Sequence, residues 1–416
     1  MKILVNDHSG HAFPLHLSQH LARYGYTITH TYSANFQSPK GNFSLPEELK
    51  SNLKIIPIHY SKEFNKYSII SRRKQEFEFA GKLIKEIEEF KPEVIINCNT
   101  PLFAQDKIQR YCVKHQIKFV FWCQDAYSIA ITKILQDKLG FIGRFAGKYF
   151  QQLERRQLSN SNHIVTITPD FNTLFSKWNI DRQKITVIPN WAPIEEIPVV
   201  EKDNSWSKSH GLDNFFCFIY SGTLGLKHNP TLLLNLAQHF EKFIDVKVVV
   251  ISEGVGADLL RKKITEKKIQ NLIVLPFQTF ADMPKVLGTA AVLVAVLEPE
   301  AGVYSVPSKI LAYMCAGKPV LLSVPFDNLS SKIIMNNQAG ICADPNDIDE
   351  FTQGAEKLYT NAQLRTSTGM NARRYAEENF NIDEICKKFI YIIQQVSNPG
   401  KALNQSRKKL HQVLIK

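Results

Sequence analysis

Short runs of apolar, often β-branched residues alternate along this chain with longer stretches whose apolar side chains recur at helical spacing. In the first half the runs are Ile3–Val5, Ile28–Thr31, Ile55–His59, Val94–Asn97, Phe119–Trp122, Ile164–Thr168 and Thr186–Ile188. Between two of them Phe77, Ala80, Leu83, Ile84, Ile87 and Phe90 line one helical face, with Lys and Glu on the other. Runs that are apolar almost throughout, rather than alternating, predict a parallel sheet covered by helices on both faces.

The same rhythm restarts after residue 210. Its strand candidates are Phe216–Tyr220, Lys247–Ile251, Ile273–Leu275, Val292–Leu297 and Pro319–Ser323. Pro189-Asn190-Trp191-Ala192-Pro193 and the polar stretch Glu201–His210 carry linker chemistry between the halves. Amphipathic helices are expected from Gln363 to about Val396, followed by a break at Asn398-Pro399-Gly400 and a basic tail with Arg407, Lys408 and Lys409. The pattern therefore predicts an α/β protein of two doubly wound, Rossmann-like domains facing a central cleft. The first covers residues 1–195, the second 206–380, and 381–416 forms a terminal helix plus the tail. Ligands of such sheets bind beyond the carboxyl ends of the strands.

Composition narrows this picture. At 416 residues, 44% hydrophobic and 22% charged, the chain suits two globular domains. No stretch approaches the length of a membrane span. The apolar run after Lys2 is too short for a signal-peptide core and is expected to be a first strand. Cys98, Cys112, Cys123, Cys217, Cys315, Cys342 and Cys386 contain no Cys-x-x-Cys pair, so free thiols of a reducing cytoplasm are expected and a structural zinc is not. The formal net charge of +12 attracts polyanions: nucleic acid, an anionic membrane or a diphosphate. No nucleic-acid motif accompanies it, so no nucleic-acid partner is expected.

Two segments of the second half point to the diphosphate. In the run from Glu298 to Val320, Pro307 and Ser308 open a helix and Lys309 falls in its first turn. A cation there opposes the helix dipole unless a phosphate occupies the gap. The second segment runs from a buried strand at Phe216 into Gly222 and Gly225, with Lys227 just beyond. Glycines let backbone amides approach a phosphate, and the lysine adds charge. The two segments together predict a two-sided clamp made by Gly222, Gly225, Lys227, Ser308 and Lys309.

These residues also carry a resemblance. Ile188-Pro-Asn-Trp191, Tyr220-Ser-Gly-Thr-Leu-Gly-Leu-Lys227, Leu275-Pro-Phe277 through Met283-Pro284, and Val306-Pro-Ser-Lys309 through Gly317-Lys-Pro-Val320 resemble the donor domain of family 4 glycosyltransferases, within the GT-B superfamily. The likeness extends over nearly the whole chain and is strongest to the bacterial branch that builds capsule, O-antigen or colanic-acid-type polysaccharides. Ala372-Arg-Arg-Tyr-Ala-Glu-Glu-Asn-Phe380 resembles that family's C-terminal helices, which return to the first domain.

Many members carry two glutamates about seven residues apart, for the donor sugar and the ribose. Here those positions hold Tyr304 and Ala312, and Glu298 or, preferably, Glu300 replaces the first through a shifted loop. Lys227 lacks the arginine that usually accompanies it.

By the same resemblance the Asn6–Pro14 loop faces the cleft, where relatives hold acceptor and donor phosphate. Gly10 would admit backbone to the diphosphate, and His8 or His11 would reach it. Asp125, at the end of a buried strand, stands where relatives have a His-Asp pair, with Gln124 in place of the histidine. It is a candidate to hold an acceptor hydroxyl or act as base, the alternative being a turn-capping aspartate. Asn99 ends the neighbouring strand. Ile134, Leu135, Leu139, Phe141, Ile142, Phe145, Tyr149 and Phe150 are interleaved with Lys133, Lys138, Arg144 and Lys148. That is the composition of a helix lying on an anionic membrane, or of one packed on its own sheet with snorkelling lysines.

The resemblance thus implies a retaining, metal-independent transferase in the cytoplasm, peripheral at the inner face of the cell membrane. Its expected substrates are a nucleoside diphosphate sugar, UDP-linked in the first instance, and a lipid-linked saccharide. A UDP-sugar epimerase or hydrolase of the same fold and a non-catalytic scaffold are the rival expectations.

Overall fold

The computed structural model describes residues 1–35, 43–61, 69–225, 228–299 and 309–398. The chain divides into two compact units, Met1–Pro189 with Ile382–Lys416, and Asn190–Asn381.

Among its described residues the first unit is built on seven parallel strands: β1 (Lys2–Asp7), β2 (Thr27–Ser33), β3 (Leu53–Ile58), β4 (Val94–Cys98), β5 (Lys118–Cys123), β6 (His163–Thr166) and β7 (Ile185–Val187). Their spatial order, β3-β2-β1-β4-β5-β6-β7, reverses direction between β1 and β4. The helices are α1 (Ala12–Arg23), α2 (Ile69–Phe90), α3 (Leu102–Lys114), α4 (Tyr127–Asn160) and α5 (Phe171–Lys177). Burial explains the apolar runs, since Ile3, Leu4 and Val5 and then Val94, Ile95 and Ile96 lie wholly inside. Trp122 of β5 packs edge-on against Phe13 of α1 at 5.3 Å between centroids, and against Phe389 at 4.8 Å. Phe389 belongs to the terminal helix of the described chain, and so joins this core rather than the other.

Among its described residues the second unit has six parallel strands: β8 (Phe216–Ser221), β9 (Val246–Ile251), β10 (Leu272–Leu275), β11 (Val292–Val296), β12 (Val320–Ser323) and β13 (Gly340–Ala343). Their order is β10-β9-β8-β11-β12-β13, so the reversal falls between β8 and β11. Around it run α6 (Ser205–Ser209), α7 (Pro230–His239), α8 (Val255–Lys267), α9 (Met283–Thr289), α10 (Lys309–Cys315), α11 (Leu329–Asn336), α12 (Ile348–Thr360) and α13 (Ala362–Asn379). The terminal helix, α14 (Ile382–Ser397), is the one that packs on α1 in the first unit.

Three features differ from the sequence pattern. β13 escapes it because its four residues, Gly-Ile-Cys-Ala, include only one large apolar side chain. It pairs with β12 so closely that a Cβ at Gly340 would lie 1.9 Å from the Val320 carbonyl oxygen. Glu201–His210 is not a free linker. Asn204 caps α6 reciprocally with Ser207 and donates to the Lys285 carbonyl oxygen at 3.1 Å, while Trp206 is buried.

The third difference is α4. At Gly140 the backbone takes φ 54° and ψ −125°, a conformation open to glycine, and the helix folds back on itself. Leu135 faces Gly143, Thr132 faces Gly147 and Gln151, and Ser128 faces Glu154, so residue numbers fall along one arm as they rise along the other. The arms are an antiparallel hairpin. Their approach requires glycine: a Cβ at Gly143 would sit 1.9 Å from the Leu135 carbonyl oxygen, and one at Gly147 2.4 Å from Thr132 Cγ2.

Candidate functional site

In both units the polar residues gather at the carboxyl ends of the strands beside the reversal of strand order, where a doubly wound sheet leaves a crevice. In the second unit β8 ends in Ser221 and Gly222, and Gly222 has φ +135°. Lys309, the first residue of α10, lays its ammonium on the Tyr220 ring, 3.7 Å from the centroid, and hydrogen bonds the Tyr220 hydroxyl. The same Nζ donates to the Thr223 carbonyl oxygen at 3.4 Å. A Cβ at Gly222 would come 3.1 Å from Lys309 Cε, so the glycine leaves room for the lysine stem. Lys309 thus lies against the loop after β8, beside Gly222. Lys227, Glu300 and Ser308, assigned to the same site from the sequence, lie outside the described residues.

One turn beyond Lys309, the Tyr313 hydroxyl accepts from the Ser221 amide at 2.9 Å and lies 3.2 Å from the Ser221 and Val294 carbonyl oxygens. It ties the ends of β8 and β11 to α10. Burial, and then the neighbouring Tyr313, push the Tyr220 phenol well above its ordinary range, so Lys309 rests on a neutral ring. At the other end of α10, Gly317 takes φ +65° and Arg373 donates to the Cys315 carbonyl oxygen at 2.7 Å, which satisfies a helix-terminal acceptor. Gly225 donates its amide to His228 Nδ1 at 3.1 Å.

Sequence reasoning passed over a third loop, Ser252-Glu253-Gly254 after β9. Gly256 donates to the Leu224 carbonyl oxygen at 3.2 Å, joining this loop to the one after β8. Glu253 accepts from the Phe277 amide at 3.2 Å. Two glycines flanking Val255 directly after an apolar strand were the available signal.

In the first unit the organiser is Asp7, another residue the sequence pattern does not single out. At the end of β1 its carboxylate accepts from the His11 amide at 2.5 Å, the Ser9 amide at 3.2 Å and Asn99 Nδ2 at 2.8 Å. Burial raises its pKa, opposed by His11 and by these hydrogen bonds. Gly10, at φ +73°, donates to the Asp7 carbonyl oxygen and closes the turn. Gly10, His11 and Asn99 are therefore brought together, with Asn99 itself in the left-handed region at φ +51°. The two histidines separate. His8 is buried, 2.6 Å from the Tyr60 hydroxyl and edge-on to Phe79, whereas His11 is half-exposed and stacked on Phe13.

Behind the loop, Asn6 accepts from Thr31 and donates to Asn97 at 2.7 Å, and Asn97 donates to Gln105. Asp125 follows β5, half-buried. The residue flanking α4 is Ala126, and the first amides of that helix, Tyr127 and Ser128, go to Glu154 at 3.1 Å each. The capping work sits with Glu154. Burial lifts its carboxyl to about 7, with the Ser128 and Tyr127 hydrogen bonds opposing and Asp125 adding to the rise.

All seven cysteines are free thiols, six of them buried. No helix among the described residues is long and apolar enough to cross a membrane.

This pair of parallel sheets is the GT-B fold. Over 95% of this chain and all of the other, the structure is similar to Anabaena HepE solved with UDP and glucose, at TM-score 0.70 and 15% identity. It is similar to sucrose-phosphate synthase from Thermosynechococcus elongatus at TM-score 0.72 and 12% identity, over 95% of this chain and 99% of that one. WaaG, a glycosyltransferase involved in lipopolysaccharide biosynthesis, gives TM-score 0.67 and 13% identity over 94% and 99% of the two chains. An uncharacterised glycosyltransferase of Methanocaldococcus jannaschii is 22% identical over 60% of this chain and 62% of its own length, less than two thirds of that relative.

Family matches specify more. Residues 10–196 match Glycosyltransferase Family 4, and residues 202–375 match Glycosyl transferases group 1. The chain belongs to the family 4 glycosyltransferases of the GT-B type.

Proposed function

We propose that this protein moves a sugar from a UDP-sugar to a hydroxyl of a lipid-linked saccharide, with retention at the anomeric carbon and with protein cations, rather than a metal, facing the diphosphate. The carrying observation is Lys309, held against Tyr220, Gly222 and Thr223 at the end of β8. In the reaction, negative charge develops on the leaving diphosphate. An ammonium held beside the glycine at the end of β8 stabilises that charge after a short move off the Tyr220 ring.

Lys227, Glu300, Ser308 and the amides around Gly222 and Gly225 complete the donor site in this reading. HepE, solved with UDP and glucose, supports the uridine choice. Asp125 positions the acceptor hydroxyl, and Gly10, His11 and Asn99 hold the acceptor side. Attack on the same face as departure, with the leaving diphosphate oxygen accepting the acceptor proton, needs no protein nucleophile. The lipid-linked acceptor places the enzyme at the inner face of the cell membrane, in cell-surface polysaccharide assembly.

Ala312 on α10 offers no carboxylate to a ribose, the one described feature that favours a non-catalytic scaffold. Calorimetric titration with UDP, GDP and ADP, in chelator and then in Mg²⁺, tests both readings. Micromolar-range UDP binding in chelator is expected. Binding that requires Mg²⁺ refutes metal independence, and binding of none of the three refutes the transferase.

A further inference from the structure

The α4 hairpin does not use its closed end to pack. Phe141 and Ile142, the first residues after the Gly140 bend, are each 72% exposed. Leu139 and Phe145 beside them are exposed by more than half, as are Ile134 and Tyr149 further down the two arms. Elsewhere among the unit's described residues the large apolar side chains exposed by more than half are Val113 of α3 and Tyr391 of α14, one to a helix, so the clustering at one apex calls for an occupant.

The arms themselves are tightly held. Gly143 and Gly147 admit Leu135 and Thr132, and the base is tied by the Ser128 hydroxyl donating to Glu154 at 2.5 Å and by Gln151 donating to Thr132 at 3.2 Å. The apex is therefore presented by a braced element, not by a loose segment.

Charge selects the occupant. Residues 133–150 carry Lys133, Lys138, Arg144 and Lys148 against Asp137 alone, a net charge of +3. A second copy of this surface would be repelled by it. An anionic bilayer accepts the apolar apex in its acyl region and the cations among its phosphates. Lys148 already lies over the Phe145 ring at 5.4 Å, the arrangement of a stem that covers apolar surface while its charge reaches outward.

We infer that the α4 hairpin inserts apex-first into an anionic membrane, with Phe141 and Ile142 deepest. This deepens the proposed function, which places the enzyme at a membrane, and it replaces a helix lying flat with a wedge. Ile134 and Tyr149 stand about 9 and about 13 Å back from the bend at 1.5 Å per residue, so an apex-first hairpin and a flat helix put them at different depths.

The test uses the full-length protein and vesicles of equimolar phosphatidylcholine and phosphatidylglycerol, with no donor or acceptor present. Its result is therefore independent of whether the chain transfers sugar. Wild type is expected to sediment with these vesicles. The double variant Phe141→Ser/Ile142→Ser should lower the partition coefficient about a hundredfold at both low and high salt. Replacing Lys133, Lys138, Arg144 and Lys148 with Gln should lower it at low salt only, by roughly fivefold per cation. UDP titration of each variant confirms an intact second unit, and far-ultraviolet circular dichroism confirms the helices.

For depth, tryptophan is introduced by Ile142→Trp or Tyr149→Trp, and its quenching by lipids brominated along the acyl chain is compared. Stronger quenching at 142 supports the wedge. Equal quenching at the two positions overturns it in favour of a flat helix. Undiminished vesicle binding by the Ser variant, or no binding by wild type, overturns membrane insertion altogether, while UDP binding tests the transferase separately.

Discussion

The sharpest consequence of the donor-site geometry concerns Lys309→Met, which keeps the stem and removes the ammonium. Two unit charges about 4 Å apart interact by about 4 kcal/mol at the effective dielectric of a protein surface. To reach a diphosphate the ammonium must leave the Tyr220 ring, where it sits 3.7 Å from the centroid, and such a contact is worth about 1 kcal/mol. The net loss is then about 3 kcal/mol, or roughly a hundredfold in the Kd for UDP. The loss in kcat should be of similar size, because the charge grows as the diphosphate departs. Thermal stability should fall by less than the binding free energy does, since the described contacts the variant forfeits in the unliganded protein are the Tyr220 ring and hydroxyl and the Thr223 carbonyl oxygen. Isothermal titration with UDP, beside a melting curve, measures both. A UDP affinity within threefold of wild type would refute the assignment of Lys309 to the diphosphate. A matching fall in Tm would instead make the lysine structural.

Asp125→Asn should reduce kcat by about a hundredfold while leaving UDP affinity unchanged, because the proposed function sets the residue on the acceptor side. Unchanged turnover would leave it an ordinary strand-end residue. Gly143→Ala, which in most helices stabilises by about 1 kcal/mol, should here destabilise by about 2 kcal/mol. The new Cβ meets the Leu135 carbonyl oxygen at 1.9 Å, and thermal melting gives the sign directly.

Glu154 predicts a pH dependence. Its folded-state value of about 7 lies above the unfolded 4.5, so folding favours the protonated acid. That contribution is complete below pH 4.5 and lost as pH rises through 7. Glu154→Gln keeps a neutral acceptor, so it should match wild type in acid and exceed it by about 3 kcal/mol at pH 8 in denaturant titrations. A pH-independent difference would show that the carboxyl titrates normally.

Much of the fold was legible in the sequence because parallel strands buried on both faces must be apolar throughout. Among the described residues, twelve of the thirteen strands coincide with a run read from the sequence, from Ile3–Val5 to Pro319–Ser323, though β2 carries threonines and a histidine between its apolar residues. β13 does not, because its place depends on Gly340 fitting against Val320, a fact of packing and not of composition. Lys309 was legible for a similar reason: a cation in the first turn of a helix is locally unfavourable and so invites an explanation. Asp7 and Glu154 gave no such signal. An acid at a strand end or within a helix is commonplace until the partners from distant segments, Asn99 for one and Ser128 for the other, are seen beside it.

The sequence by itself determined the two repeating halves, the glycine and lysine motifs at the end of β8 and the start of α10, and the family they resemble, because periodicity and local conformational preference are encoded within a few residues. Only the tertiary structure decided which histidine of the first loop is core and which is accessible, that the terminal helix packs against Trp122, and that the basic amphipathic stretch is a bent hairpin. Each of those depends on contacts between residues far apart in the chain, or, at Gly140, on a dihedral angle that glycine permits but does not impose.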